Sequence, residues 1–158
     1  MKKIVVLSDT HGNVEAIRKI EGILAESDYV IHLGDGIGDM KPFRQMLGDR
    51  LVTVRGNCDC GLSADERELE VEGCTLFLTH GHRYRVKTTL VNLGYAGCEH
   101  RAAAALYGHT HVADVSEFEG VKLINPGSLS RPASGVPSYC YLLVYNGKVF
   151  PKIVERRD

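Results

Sequence analysis

Five apolar runs in this sequence each end on side chains that can hold a divalent cation. Ile4 to Leu7 runs into Asp9 and His11, Val30 to Leu33 into Asp35, Leu51 to Val54 into Asn57, Leu76 to Leu78 into His80, and Ala103 to Tyr107 into His109 and His111. Seven oxygen and nitrogen donors exceed the needs of one four-coordinate ion and suit two ions that share a bridging carboxylate. Asp35 is the choice for that bridge. Two ions roughly 3.5 to 4 Å apart can grip a phosphoryl group, deprotonate a water between them, and stabilise attacking and leaving oxygens together. Such chemistry needs no protein nucleophile. The Asp, His and Asn set carries no thiolate. It favours Mn²⁺ first, with Ni²⁺, Fe²⁺ or Zn²⁺ as alternatives, over Ca²⁺ or Mg²⁺, which prefer all-oxygen shells.

Strand ends are the expected place for such donors, because in open α/β sheets the carboxyl ends of strands converge on one crevice. Asp9 and His11, like His109 and His111, are two residues apart, and in extended chain such residues point the same way. Glycine stands beside nearly every donor: Gly12, Gly34 and Gly36, Gly56, Gly81 and Gly108. A helix starting near Asn13 would aim unpaired N–H groups at the same cavity, a favourable setting for a phosphate anion.

The elements that must position these residues read as follows. Lys3 to Ser8 is a short β-branched strand, and Val14, Ile17, Ile20, Ile23 and Leu24 then recur at helical spacing. Tyr29 to Leu33 is a second strand, followed by a short helix around Pro42 to Leu47 and a strand at Leu51 to Val54. This alternation predicts parallel pairing through crossover helices. Glu66 to Glu72 and Thr75 to Leu78 form a hairpin about Gly73, and a helix from about Lys87 to Arg101 leads into Ala103 to Tyr107. Val112 to Phe118, Val121 to Ile124, Tyr139 to Tyr145 and Lys148 to Val154 are strand-like, so the second half is expected to be mostly antiparallel. Two sheets packed face to face with helices outside satisfy this pattern. The loop from Ser128 to Ser138, with Pro132, Gly135 and Pro137, is the expected mobile segment.

At 158 residues, with 25% charged, the chain fits one globular domain spanning 1–158. A chain of this length buries roughly 70% of the surface it exposes unfolded, so disulfides are not needed for stability. Its cysteines, Cys58, Cys60, Cys74, Cys98 and Cys140, are odd in number and form no C-x-x-C pair, which points to a reducing, cytoplasmic setting. The apolar run at residues 4–7 is too short for a signal peptide, and nothing approaches the roughly 18 apolar residues of a membrane span. A net charge of −1 argues against a broad electrostatic grip on nucleic acid, which is not expected as a stable partner, and leaves local contacts at a few arginines open.

The ordered series S-D-T-H-G-N (Ser8 to Asn13), L-G-D (Leu33 to Asp35), R-G-N-C-D (Arg55 to Asp59), T-H-G-H (Thr79 to His82), Y-G-H-T-H (Tyr107 to His111) and I-N-P-G-S (Ile124 to Ser128) resembles the calcineurin-like metallophosphoesterases. It looks closest to their small bacterial and archaeal phosphodiesterase branch. The resemblance implies a four-layer α/β/β/α sandwich and hydrolysis of phosphodiesters, or also phosphomonoesters, by hydroxide activated at a dinuclear centre. It assigns Asp9, His11, Asp35 and His111 to one ion and Asp35, Asn57, His80 and His109 to the second. Asn57, His80 and His109 are the expected catalytic set. Cys58, Asp59, His82 and Asn125 are expected to contact substrate or support the ligands.

Two departures stand out. The broader family carries G-D-x-x-D, whereas here Gly38 holds the place of the second acid and Asp39 follows it. The family also places a histidine after the ligand asparagine, as a proton donor or transition-state stabiliser, and this chain has Cys58. Lost general-acid help slows poor leaving groups by roughly 10² to 10⁴-fold. His82 could substitute, or the enzyme could rely on good leaving groups.

Other residues have plainer readings. His32 lies within a strand and is expected to be a buried, hydrogen-bonded core residue, His100 to be exposed, and Cys74 and Cys140 to be small core residues. Cys58 and Cys60 form a C-x-C pair open to a soft metal. Arg55, Arg83, Arg85 and Arg131 flank the motifs, as phosphate contacts or as solvated surface. The partner expected is a small phosphoester, and a homodimer through exposed apolar strands is compatible with the sequence. The rival function is a non-catalytic metal-binding scaffold, a use to which the retromer subunit of similar fold is put.

Overall fold

The computed structural model describes residues 1–61 and 63–157. Leu62 and Asp158, inside the span read as one domain, lie outside the described residues. In chain order come β1 (Lys2–Leu7), α1 (Val14–Arg18), α2 (Glu21–Glu26), β2 (Tyr29–His32), a 3₁₀ helix (Ile37–Phe43), α3 (Arg44–Leu47) and β3 (Leu51–Thr53). They are followed by β4 (Glu66–Val71), β5 (Cys74–Thr79), α4 (Val91–Glu99), β6 (Ala104–Leu106), β7 (Asp114–Phe118), β8 (Val121–Asn125), β9 (Ser138–Tyr145) and β10 (Lys148–Glu155).

Two mixed five-stranded sheets result, ordered β10-β9-β1-β2-β3 and β4-β5-β6-β8-β7. Alternation along β1 explains the layering. Ile4 and Val6 enter the cluster between the sheets, with Leu76, Leu78, Leu106 and Ile124 from the opposite sheet. Val5 and Leu7 point the other way, against Ile17, Leu24, Met40 and Phe43 of the helical layer. Phe77, between Leu76 and Leu78 in sequence, faces outward to Leu93 and Ala96 of α4. The α/β/β/α order follows, and each fully buried Leu, Ile or Phe contributes roughly 1.5–3 kcal/mol to it.

Several expectations need correction. The helical stretch after Asn13 is two short helices, because at Ile20 the backbone bonding tightens: the Ile20 N–H donates to Ile17 O at 3.0 Å, three residues back. The helix expected at Pro42 begins earlier, at Ile37, as a 3₁₀ turn and becomes α-helical only at Arg44. The helix expected from Lys87 is shorter, at Val91–Glu99. The second half is less antiparallel than its alternation suggested. β5, β6 and β8 run parallel, since α4 carries the chain from β5 over to β6 and the hairpin strand β7 intervenes before β8. β9 and β10 leave that sheet and join β1 in the other.

The carboxyl ends of β1, β2, β5 and β6 therefore open on one edge of the two-sheet stack, as anticipated. The loops leaving them differ from the extended chain expected. Asp9 (φ 56°), His11 (φ 44°), His109 (φ 73°) and His111 (φ 60°) all occupy the left-handed region. Non-glycine residues seldom adopt it, so four of them within two ligand loops is concentrated backbone strain of the kind found at functional sites.

Candidate metal centre

The ligand loops are held by hydrogen bonds that orient each donor. Asp9, fully buried, spends Oδ2 on the Ser8 hydroxyl at 2.6 Å and on the His109 N–H at 3.0 Å. Its Oδ1 is left facing His111 Nε2 at 3.2 Å and His11 Nε2 at 3.7 Å. Asp35 accepts the Cys58 N–H on Oδ1 at 2.8 Å, which turns Oδ2 toward His80 Nε2 at 3.3 Å and His11 Nε2 at 3.8 Å. His11 Nε2 and His111 Nε2 stand 3.2 Å apart.

The histidine tautomers follow from their second partners. His80 Nδ1 lies 2.8 Å from the Leu33 carbonyl and His111 Nδ1 lies 2.7 Å from that of Arg131. A carbonyl only accepts, so each Nδ1 carries the proton and each Nε2 presents a lone pair to the carboxylates. Ligating histidines are set up in the same way. Two of these atoms, Asp9 Oδ1 and His80 Nε2, are buried with no hydrogen-bond partner among the described residues. Lone pairs converging without a donor between them fit a cation, and they would be costly without one.

Among the described residues three groups meet the geometry for an ion, each with ligand atoms within 4.8 Å of one another: Asp9, His11 and His111; Asp35, His80 and His109; and His11, Asp35 and Cys58. The first two include six of the seven residues singled out from sequence. The seventh, Asn57, is exposed at the rim, its Nδ2 donating to Cys58 Sγ at 3.6 Å.

The protonation landscape points the same way. Burial acts to raise the Asp35 carboxyl, but the facing His80 ring and the hydrogen bond from the Cys58 N–H outweigh this and hold it well below the usual carboxylate range. Burial likewise acts to lower His80, and the facing Asp35 carboxylate with the charge of Asp9 reverses it upward. The cavity thus attracts positive charge between these carboxylates. Burial, then His80 and Lys87, press His109 down to about 4, so it is neutral and available as a donor. Burial and the charge of Asp35 push the Cys58 thiol up.

Four residues expected near substrate prove to have distinct duties. Asp59 accepts four backbone N–H groups, from Asp35 (2.7 Å), Gly36 (2.8 Å), Ile37 (3.3 Å) and Gly56 (2.8 Å), and so clamps the β2 and β3 loops together. Asn125 is fully buried and binds Gly108 O, Thr110 Oγ1 and the Gly127 N–H, which fixes the loop carrying His109 and His111. Both support the ligands from behind. His82 stays near the centre, its ring 5.4 Å from that of His80 and 6.0 Å from that of His109, with a buried Nδ1 that has no hydrogen-bond partner among the described residues. Cys58 stands beside Asp35.

A second layer of hydroxyls, of which sequence reasoning missed Ser130, backs the first loop. Ser128 and Ser130 both donate to the Asp9 carbonyl, at 2.8 and 3.2 Å, and Ser130 also to that of Thr10. The start of the loop expected to be mobile is therefore part of the site's frame. Asp39, one place late in the motif, still reaches the first ligand loop, accepting the Thr10 hydroxyl at 2.6 Å and the Gly12 N–H at 2.8 Å. That contact takes up the Gly12 amide just before α1, and of the helix's own first-turn amides the Ala16 N–H is capped by Asn13 Oδ1. His32 is the buried core residue expected: its Nδ1 accepts the Gly34 N–H and its Nε2 meets Thr10 Oγ1 at 2.9 Å. His100 differs from expectation, since it is half-buried, stacked 4.2 Å from Phe77 and paired with Glu68. Cys74 and Cys140 are buried as expected. Arg55 and Arg83 both pair with Asp65, and Arg131 lines a cleft of about 400 Å³ with His11, Asp35, Asp39 and Cys58.

Residues 1–147 match the family model of the calcineurin-like phosphoesterase superfamily domain. The chain belongs to this family. It is 34% identical over 146 residues to the probable metallophosphoesterase YsnB of Bacillus subtilis, covering 90% of this chain and 85% of that one. It is 27% identical to the phosphodiesterase YfcE of Escherichia coli, covering 87% and 85%. Among solved structures, vacuolar protein sorting 29 of Cryptosporidium parvum superposes with a TM-score of 0.85 over 99% of this chain and 92% of that one. At 18% identity that likeness concerns the fold alone. Membership of a metallophosphoesterase family implies divalent metal binding, and the Asp and His groups described above could hold the ions. Among the described residues no helix is long and apolar enough to cross a membrane.

Proposed function

We propose that the chain hydrolyses small phosphodiesters at a dinuclear centre, with Asp9, His11, Asp35 and His111 holding one ion and Asp35, Asn57, His80 and His109 the other. The observation that carries this reading is the pair of tautomers: His80 and His111 each give Nδ1–H to a carbonyl, which leaves Nε2 aimed at Asp35 or Asp9. Bound there, divalent ions would polarise a phosphoryl oxygen and supply a nucleophile at neutral pH. Mn²⁺ is the preferred ion, since the mixed oxygen and imidazole set suits borderline metals.

The protein's own contribution is placement. Asp59 and Ser128 fix the two ligand loops before substrate arrives, so little reorganisation remains for the transition state. Arg131, exposed in the cleft, offers a planar donor to a phosphate oxygen. Neutral His82, pressed down by burial, can donate a hydrogen bond to an oxygen bound beside His109. With a protonated thiol where the family has histidine, substrates with good leaving groups should be favoured. A small phosphoester is the natural partner in this reading, with the enzyme acting in the cytoplasm and no lasting hold on nucleic acid.

The test is hydrolysis of a chromogenic diester and its monoester by metal-stripped protein, before and after return of Mn²⁺, Ni²⁺, Zn²⁺ or Mg²⁺, with bound metal counted. Metal-restored cleavage with about two ions per chain is expected. A second reading, a metal-binding scaffold, draws on the close superposition with vacuolar protein sorting 29. Two bound ions with no turnover on any ester would favour it.

A further inference from the structure

In the third group of potential ligands, His11, Asp35 and Cys58, the cysteine is the member not used as a ligand by the reading above. Cys58 follows Asn57 on the β3 loop, and its N–H is bonded to Asp35 Oδ1 at 2.8 Å. That bond locks the Cys58 backbone against the same carboxylate whose Oδ2 faces His11 and His80. The side chain is exposed toward the cleft that also contains His11, Asp39 and Arg131, so an ion can reach the sulfur from solvent. Asn57 Nδ2 donates to Sγ at 3.6 Å, a contact that would favour negative charge on sulfur.

We propose that Cys58 Sγ is a ligand of the ion held at the Asp9, His11 and Asp35 end of the centre. This inference rests on the dinuclear reading and adds a donor to it. On binding, the S–H bond breaks, the sulfur keeps the electron pair and donates it to the cation, and the proton leaves to solvent. A thiolate is a soft ligand, and it shifts selectivity from Mn²⁺ and Mg²⁺ toward Zn²⁺, Co²⁺ and Cd²⁺. Cys58 then does more than leave a histidine out. It makes the ion choice of this chain depend on a sulfur, and it exposes that choice to oxidants, because a sulfenic acid no longer offers a thiolate.

Co²⁺ loading of metal-stripped protein tests this without reference to turnover. Bound cobalt is counted by dialysis, and the near-ultraviolet spectrum is searched for a sulfur-to-cobalt charge-transfer band. The expected result is a band in the parent protein and in Cys60→Ser that disappears in Cys58→Ser, with cobalt still bound. The Cd²⁺ over Mn²⁺ preference should also fall by about tenfold or more in Cys58→Ser. Cobalt bound without the band, or a band that survives in Cys58→Ser, overturns the sulfur ligand and leaves the dinuclear reading intact. No cobalt bound at all defeats both.

Discussion

His80 and Asp35 face each other across 3.3 Å, Nε2 to Oδ2, while His80 Nδ1 donates to the Leu33 carbonyl at 2.8 Å. In this tautomer neither facing atom carries a proton, so the pair needs a cation or a borrowed proton between them. Asp35 takes part in two of the three ligand groups. Asp35→Asn should therefore lower metal affinity by roughly 100-fold or more, and more than Asp9→Asn does. Counting bound metal in both variants, with circular dichroism as a fold control, checks this. Full metal content and activity in Asp35→Asn would remove the bridge from the proposal.

Asp59 offers a sharper separation of positioning from chemistry. Asp59→Ala strands four N–H donors in the loops that carry Asp35 and Asn57. The expected cost is about 2–4 kcal/mol in unfolding free energy, together with a roughly 10- to 100-fold loss of metal affinity. Urea unfolding and metal titration would measure the two separately. A variant with unchanged stability would mean that the clamp is dispensable.

Close packing at Gly108 makes a steric prediction. A Cβ there would lie 2.2 Å from Ser8 Oγ and 2.7 Å from Asp9 Oδ2. Gly108→Ala must move the very carboxylate that faces His11 and His111. A stability loss of about 1–3 kcal/mol is expected, along with weaker binding of the first ion. Isothermal titration of the metal-stripped variant should show one site weakened more than the other, and two unaltered sites would refute the steric argument.

Below neutral pH the metal-free protein should lose stability through His32. Burial lowers its pKa from 6.5 to about 4, so between those values the unfolded chain binds a proton that the folded chain does not. Stability contributed by neutral His32 is present above pH 6.5 and declines as pH falls toward 4, by up to roughly 3 kcal/mol. The charged form would set a second proton against the Gly34 N–H, which now donates to Nδ1. Comparing urea midpoints of the parent and His32→Asn from pH 7.5 to 4.5 isolates the effect. The parent's curve should be the steeper of the two, and parallel curves would contradict the assignment.

The convergence of six of the seven donors was legible in the sequence because side-chain type and strand-end position are local signals. The reason given for pairing Asp9 with His11 was different from the one the fold uses: left-handed backbone, and not extended chain, turns them toward the same cavity. Helix boundaries drifted where a 3₁₀ turn interrupts the ladder at Ile20, since hydrophobic period does not distinguish the two kinds of bond. The sheet order was out of reach because β6 owes its parallel neighbours to contacts distant in sequence. Ser8 and Ser130 were invisible for a related reason: a serine next to a ligand and a serine on the surface read alike until the fold shows which oxygen it meets.

The two serines that grip the Asp9 carbonyl come from positions 128 and 130, and the strand that flanks β1 on its outer side is β9, at 138–145. The first ligand loop thus waits on chain made more than a hundred residues later. During synthesis, a nascent chain that has exposed Asp9, His11 and Asp35 has the donors without the frame. Any ion it captures is held by a few loose side chains, and exchange with competing metals remains open until residue 145 emerges. An ion held by the finished centre would then be taken up by chain that has already folded.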